Sequence, residues 1–243
     1  RDSNKIIICA KAESINEIPN KKLKLLFDNS DYKVLANSVD IDTHKILSKT
    51  NFNTQCSTRV DNPQKISPVF DTTTLKNHKI KSLCINSTLN YQNGISIERF
   101  RKFYKKYGLN LLYIDDGKSP VNEDPKKYGG RGLTIVQKIL TQAIACPSIK
   151  TITLIGVDFF GTKYLDSNRK KNREEMARFY SFNAASNDPR KTHGIPLIRY
   201  LCELCNCREF YKDKKINLPK EVKKYIPSPY LNKLKIAKGL EFV

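Results

Sequence analysis

Thr151-Ile-Thr-Leu-Ile-Gly-Val-Asp-Phe-Phe160 is an apolar, β-branched run that ends in Gly-Val-Asp. A strand with one face in water alternates polar and apolar residues, whereas a strand covered on both faces reads as a near-continuous apolar run. The stretch is therefore read as a buried strand of a parallel sheet, carrying Gly156 and the carboxylate of Asp158 to the sheet's carboxyl edge. Open α/β sheets bind their ligands outside that edge, so a nucleotide would sit there.

The same pattern recurs upstream. Lys5-Ile-Ile-Ile-Cys-Ala10 is a short apolar run that stops at Lys11-Ala-Glu-Ser14, and Tyr32-Lys-Val-Leu-Ala-Asn37 ends in a polar Asn-Ser. Further strands are expected at Ile80–Ile85 and Leu109–Ile114, and a candidate at Ser67-Pro-Val-Phe70 within the polar, weakly periodic stretch 38–80. Ile97, Phe100, Phe103 and Tyr104 stand at helical spacing, as do Leu133, Val136, Ile139, Leu140, Ala143 and Ile144. The second set follows the loop Tyr128-Gly-Gly-Arg-Gly132. Glycines before a helix start make an anion site because the first amides are unpaired, which nominates Arg131 and Gly132. An ordinary connecting loop is the competing reading. Ile195, Leu197, Ile198, Leu201 and Leu204 mark another amphipathic helix, with a strand expected at Cys207–Tyr211. Strands alternating with helices predict an α/β fold with a mostly parallel sheet and helices on both faces.

At 243 residues the chain suits one substantial core. Its 44 Lys and Arg against 24 Asp and Glu give a formal charge of +20, a surface that attracts nucleic acid, anionic lipid or phosphorylated small molecules. Seven cysteines, several inside apolar runs, fit free buried thiols and a cytoplasmic, reducing setting rather than a disulfide framework. No stretch approaches the roughly 20 apolar residues that span a bilayer. Residues 211–243 interleave lysines with Tyr225, Ile226, Tyr230, Leu231, Leu234 and Ile236. Two readings stand for this basic tail: it lies on an anionic membrane with its apolar side chains inserted, making the protein peripheral on the inner face, or it is a solvated helix packed on the body.

The order of Ala-Lys-Ala-Glu-Ser14, Asn37, the glycine loop with its helix, Leu154-Ile-Gly-Val-Asp-Phe-Phe160, Tyr164 and His193 resembles the bacterial sialyltransferases of glycosyltransferase family 42. The resemblance implies a single Rossmann-like domain over residues 1–210, a GT-A-like variant with a small lid near 161–192, followed by a tail that approaches the membrane. It implies an inverting transfer of sialic acid from CMP-sialic acid to a glycan or glycolipid hydroxyl, with no cofactor or metal required. A second copy of the chain is left open as a partner. Carried over by position, Ala10, Lys11, Ala12 and Asn37 would line the nucleotide; Ser14 just after them, and Arg131 and Gly132 of the glycine loop, are further candidates for the nucleotide site. Gly156, Asp158 and Phe159 would hold the cytidine and its ribose, with Phe160 next to them in the nucleotide site at the place of a phosphate-binding tyrosine; Tyr164 would bond the departing phosphate, and His193 would be the general base beside Arg190.

The chain also departs from the family's pattern. The family's first loop reads Gly-Asn-Gly-Pro-Ser, so Lys11 replaces an asparagine and Ala10 and Ala12 replace glycines; Phe160 and Arg190 stand where the family has tyrosines. Lys11, Arg131, Arg190 and Lys191 supply compensating positive charge, or the site serves another donor such as CMP-Kdo.

The chemistry asks for little more than these residue types. Transfer from a CMP-activated keto-sugar passes through an oxocarbenium-like state while negative charge grows on the phosphate, so a base and phosphate donors suffice. A histidine titrating near neutrality can take the acceptor proton unaided by metal. The plainer alternatives are a surface-loop His193 and an Asp158 that caps the next turn. Two further classes are weighed: a zinc site from His193, Cys202, Cys205 and Cys207, and a basic nucleic-acid-binding module.

Overall fold

The computed structural model describes residues 4–10, 12–36, 44–57, 72–86, 105–114, 135–157, 195–206 and 213–243. Among them the strands β1 (Asn4–Cys9), β2 (Tyr32–Ala36), β3 (Thr54–Ser57), β4 (Ser82–Asn86), β5 (Asn110–Ile114), β6 (Ile149–Ile155), β7 (Lys215–Leu218) and β8 (Leu240–Phe242) form one sheet. Their order is β5-β4-β3-β2-β1-β6-β7-β8. Every neighbouring pair is parallel, as the continuous apolar runs predict.

Among the described residues, the helices α1 (Asn20–Asp28), α2 (Thr72–Asn77), α3 (Ile135–Ala145), α4 (Ile195–Asn206) and α5 (Ser228–Ile236) cover the sheet. Because side chains of a strand alternate between faces, β1 splits its apolar run in two. Ile7 and Cys9 pack with Leu23 and Phe27 of α1 and Leu75 of α2 on one face. Ile6 and Ile8 pack with α3, α4 and α5 on the other, through Leu140, Leu201 and Leu234 among others. The chirality of parallel crossovers accounts for this division: right-handed connections leave helices on one face while the chain steps from β1 outward to β5, and on the opposite face once it returns to β6 and steps the other way. Buried polar groups are matched where the helices meet. The Thr141 hydroxyl donates to the Gln137 carbonyl and meets the hydroxyl of fully buried Tyr200 at 2.6 Å, tying α3 to α4.

Several expectations are revised. Residues 213–243 are not an appended tail: they supply β7, α5 and β8 at one side of the sheet, so the boundary at 210–211 is no domain boundary. Ile226 and Leu234, lipid-inserting on one of the two readings of this segment, belong to the core beside Leu218 and Leu240, as packing on the body requires. Lys214 is buried and donates to the carbonyls of Cys146 and Ile149, both at 2.6 Å, and burial holds its ammonium below the usual lysine range. The polar middle section holds β3, which its composition did not announce. The candidate strands at 67–70 and 207–211, the helix around 97–104 and the lid at 161–192 lie outside the described residues. Among the described residues no helix is long and apolar enough to cross a membrane.

Candidate functional site at the carboxyl edge

The strand order reverses its direction of growth between β1 and β6. The next described helices after these two strands, α1 and α4, pack on opposite faces of the sheet, which makes the region outside the carboxyl ends of β1 and β6 the crevice position at which doubly wound sheets bind ligands. Two loops meet there. The Ala10 amide donates to the Ile155 carbonyl and the Ala12 amide to the Gly156 carbonyl, each at 2.9 Å, continuing the β1–β6 ladder past the end of the strands.

Gly156 makes this approach sterically feasible. Its φ is +65°, and a Cβ at this position would lie 2.4 Å from the Ala10 carbonyl oxygen and 2.6 Å from Ile15 Cδ1. Glycine is required so that the end of β6 can press against the first loop. Ala12, by contrast, has φ −78° and ψ 154°, an extended conformation that any residue adopts. Alanine at this position therefore strains nothing in the backbone. Ser14 follows in the 3₁₀ turn Glu13–Glu17, fully buried. Thus the fold brings Ala10, Ala12, Ser14 and Gly156 together at one sheet edge. Lys11, Asn37, Arg131, Gly132, Asp158, Phe159, Phe160, Tyr164, Arg190 and His193 lie outside the described residues.

Sequence reading missed the groups that anchor this edge. The turn Lys220–Tyr225, which follows β7, is tied to the first loop by ionic and hydrogen-bond contacts. Lys224 Nζ lies 2.7 Å from Glu17 Oε1, the Tyr225 hydroxyl donates to the same oxygen, and Lys22 pairs with Glu221 at 2.8 Å. Partial burial alone would push the Glu17 carboxyl up; hydrogen bonds from Lys224 and Tyr225, with the Lys224 charge, outweigh it and hold the group below the usual carboxylate range. The partners are 207 and 208 positions apart (224 − 17 and 225 − 17), so no local pattern could have shown them.

A linkage prediction follows from Glu17. Its folded pKa is depressed, so its contribution is fully present above the unfolded value near 4.3 and is lost as pH falls through the lower folded value. Glu17→Gln should lower stability by about 1 kcal/mol at pH 7, since the side chain is 29% exposed and solvent screens the pair. Urea titrations at pH 7 and in the acid range should show the gap between the two proteins closing as pH falls; a constant gap would exclude the ionic contribution.

Of the zinc alternative, Cys202 is a free thiol buried in the core on α4. Among the described residues no group of three or more His, Cys, Asp or Glu side chains could hold a metal ion.

The parallel sheet with helices on both faces and a reversal of strand order between β1 and β6 defines a doubly wound, Rossmann-like α/β fold. No protein-family model and no curated protein sequence matches the chain significantly. Among solved structures it is similar in fold to the sialyltransferase CST-II, crystallised as a tyrosine-to-phenylalanine variant in complex with CMP. The TM-score is 0.51 at 16% identity, covering 88% of this chain and 80% of that one.

Proposed function

We propose that the chain is a glycosyltransferase that takes a CMP-activated sugar, with CMP-sialic acid as donor and a glycan hydroxyl as acceptor. The observation that supports this most is the shared fold with a sialyltransferase solved with CMP, extending over 88% of the chain. In this reading the crevice between β1 and β6 receives the nucleotide, with Ala10 and Ala12 on one wall and Gly156 at the turn of the other. Lys11 and Asn37 belong to the first side by their place in the chain, and Asp158, Phe159 and Phe160 to the second. Tyr164 and Arg190 meet the phosphate, and His193 takes the acceptor proton. The negative charge that grows on the departing phosphate is met by protein donors and cations, which are worth more in a crevice than in water.

Calorimetric titration with CMP, with UMP as control, tests the donor assignment. Saturable binding of CMP and weaker binding of UMP is the expected result. Equal binding of both, or none, would remove the cytidine assignment.

A further inference from the structure

In an all-parallel sheet every strand begins at the same edge. Here that edge lies opposite the crevice, and it is lined with lysine. Lys5, Lys33, Lys81, Lys150 and Lys215 stand within or immediately before the first two positions of β1, β2, β4, β6 and β7, and Lys238 stands two residues before β8. All are exposed except Lys33, which is half-buried. Backbone hydrogen bonds link parts of the row directly: Asn53 N donates to the Lys33 carbonyl, Lys81 N to the Asn53 carbonyl and Asn110 N to the Lys81 carbonyl. Eight strand starts at about 4.8 Å spacing make a row roughly 34 Å long. The acids at this edge are fewer than the lysines: Asp28 pairs with Lys24, Asp31 and Asp213 flank the row, and Glu241 pairs with Lys215 at 3.2 Å, while Lys33 Nζ donates to the Ser30 carbonyl at 3.0 Å.

A second observation distinguishes this rim from a merely solvated one. α1 and α5 each join two parallel strands, so both must run back toward the amino edge and end there. Ile236, the last residue of α5, is 83% exposed between Lys235 and Lys238. Leu25, one turn from the end of α1, is 58% exposed, and Tyr32 at the start of β2 is 38% exposed. Three of the four large apolar side chains exposed among the described residues are thus at the lysine edge.

We infer that the amino edge of the sheet is a docking surface for an anionic lipid bilayer, with the lysines on the headgroups and Ile236 inserted between them. A basic surface with interspersed apolar side chains gains from both attraction and burial at such an interface. Lysine suits it as a mobile point charge with no need of the planar fork that reads bases or paired phosphates. A nucleic acid would use the charges but has no use for an exposed isoleucine. The inference stands independently of the donor assignment. It sets the crevice about 20 Å from the lipid, the length of β6, facing water.

The test is co-sedimentation with phosphatidylcholine vesicles with and without phosphatidylserine, using the wild-type chain, the triple variant K81Q/K150Q/K238Q and Ile236→Ser. Binding is expected only with phosphatidylserine. The triple variant should bind about 100-fold more weakly, at roughly fivefold per lysine, and Ile236→Ser about tenfold more weakly. All the substituted side chains are exposed, so unchanged melting curves should show that the variants fold. Absent vesicle binding, binding indifferent to both variants, or single-stranded RNA binding that the triple variant abolishes and Ile236→Ser leaves intact would each overturn the inference.

Discussion

Gly156→Ala is expected to destabilise the fold by about 2–5 kcal/mol. A non-glycine residue in the left-handed region costs roughly 1–2 kcal/mol, and overpacking a filled site typically adds about 1–3 kcal/mol. The overlap here is severe because two of the three nearest atoms, the Ala10 oxygen at 2.4 Å and its carbon at 2.8 Å, are backbone and cannot rotate away. Relief would require the first loop to move off β6, giving up the bonds from Ala10 to Ile155 and from Ala12 to Gly156. Gly108→Ala supplies the comparison, since Gly108 also has positive φ, +62°, but has nothing within 4 Å of its would-be Cβ. Urea unfolding of both variants should show a lower midpoint at unchanged slope, with the larger loss at Gly156. If Gly156→Ala were no worse than Gly108→Ala, the close approach of the two loops would have no energetic weight.

Which parts of this fold could be read from sequence follows from where water is excluded. β1, β2, β4, β5 and β6 were legible because apolar or β-branched runs such as Ile6-Ile-Ile-Cys9 mark strands lying inside a sheet or packed by helices. β3 was not, because it buries Thr54 and Gln55, at 2% and 1% exposure, in place of aliphatic side chains. Polar side chains buried in a strand leave no hydrophobic signature. α1 was hidden differently: Leu23, Leu26 and Phe27 form its apolar stripe among Lys21, Lys22 and Lys24. β7 and β8 are four and three residues long and set among lysines, where a short strand has the composition of a tail. The glycine-and-aspartate ending of β6 did announce a sheet edge, and Gly156 does lie where the strand order reverses. Its partner in that geometry, the Glu17 anchor, depends on contacts between chain ends that only the folded topology creates.

His193→Ala is expected to reduce turnover by about 10²–10⁴-fold, the usual worth of a positioned general base, while leaving CMP affinity unchanged. This prediction rests on the proposed transferase reading. Removing the imidazole leaves the acceptor hydroxyl to lose its proton to water, but it takes nothing from the nucleotide wall made by the ends of β1 and β6. The wild-type rate should fall with pH below the histidine range near 6.5, because only the neutral imidazole accepts a proton, and the variant should lose that acid limb. Single-turnover assays with CMP-sialic acid across pH, paired with calorimetric CMP titration, separate the outcomes. Lost turnover with retained CMP binding and a flattened acid limb is the expected result. Unchanged turnover would remove His193 from the mechanism, whereas loss of CMP binding together with turnover would place it on the nucleotide instead of the acceptor.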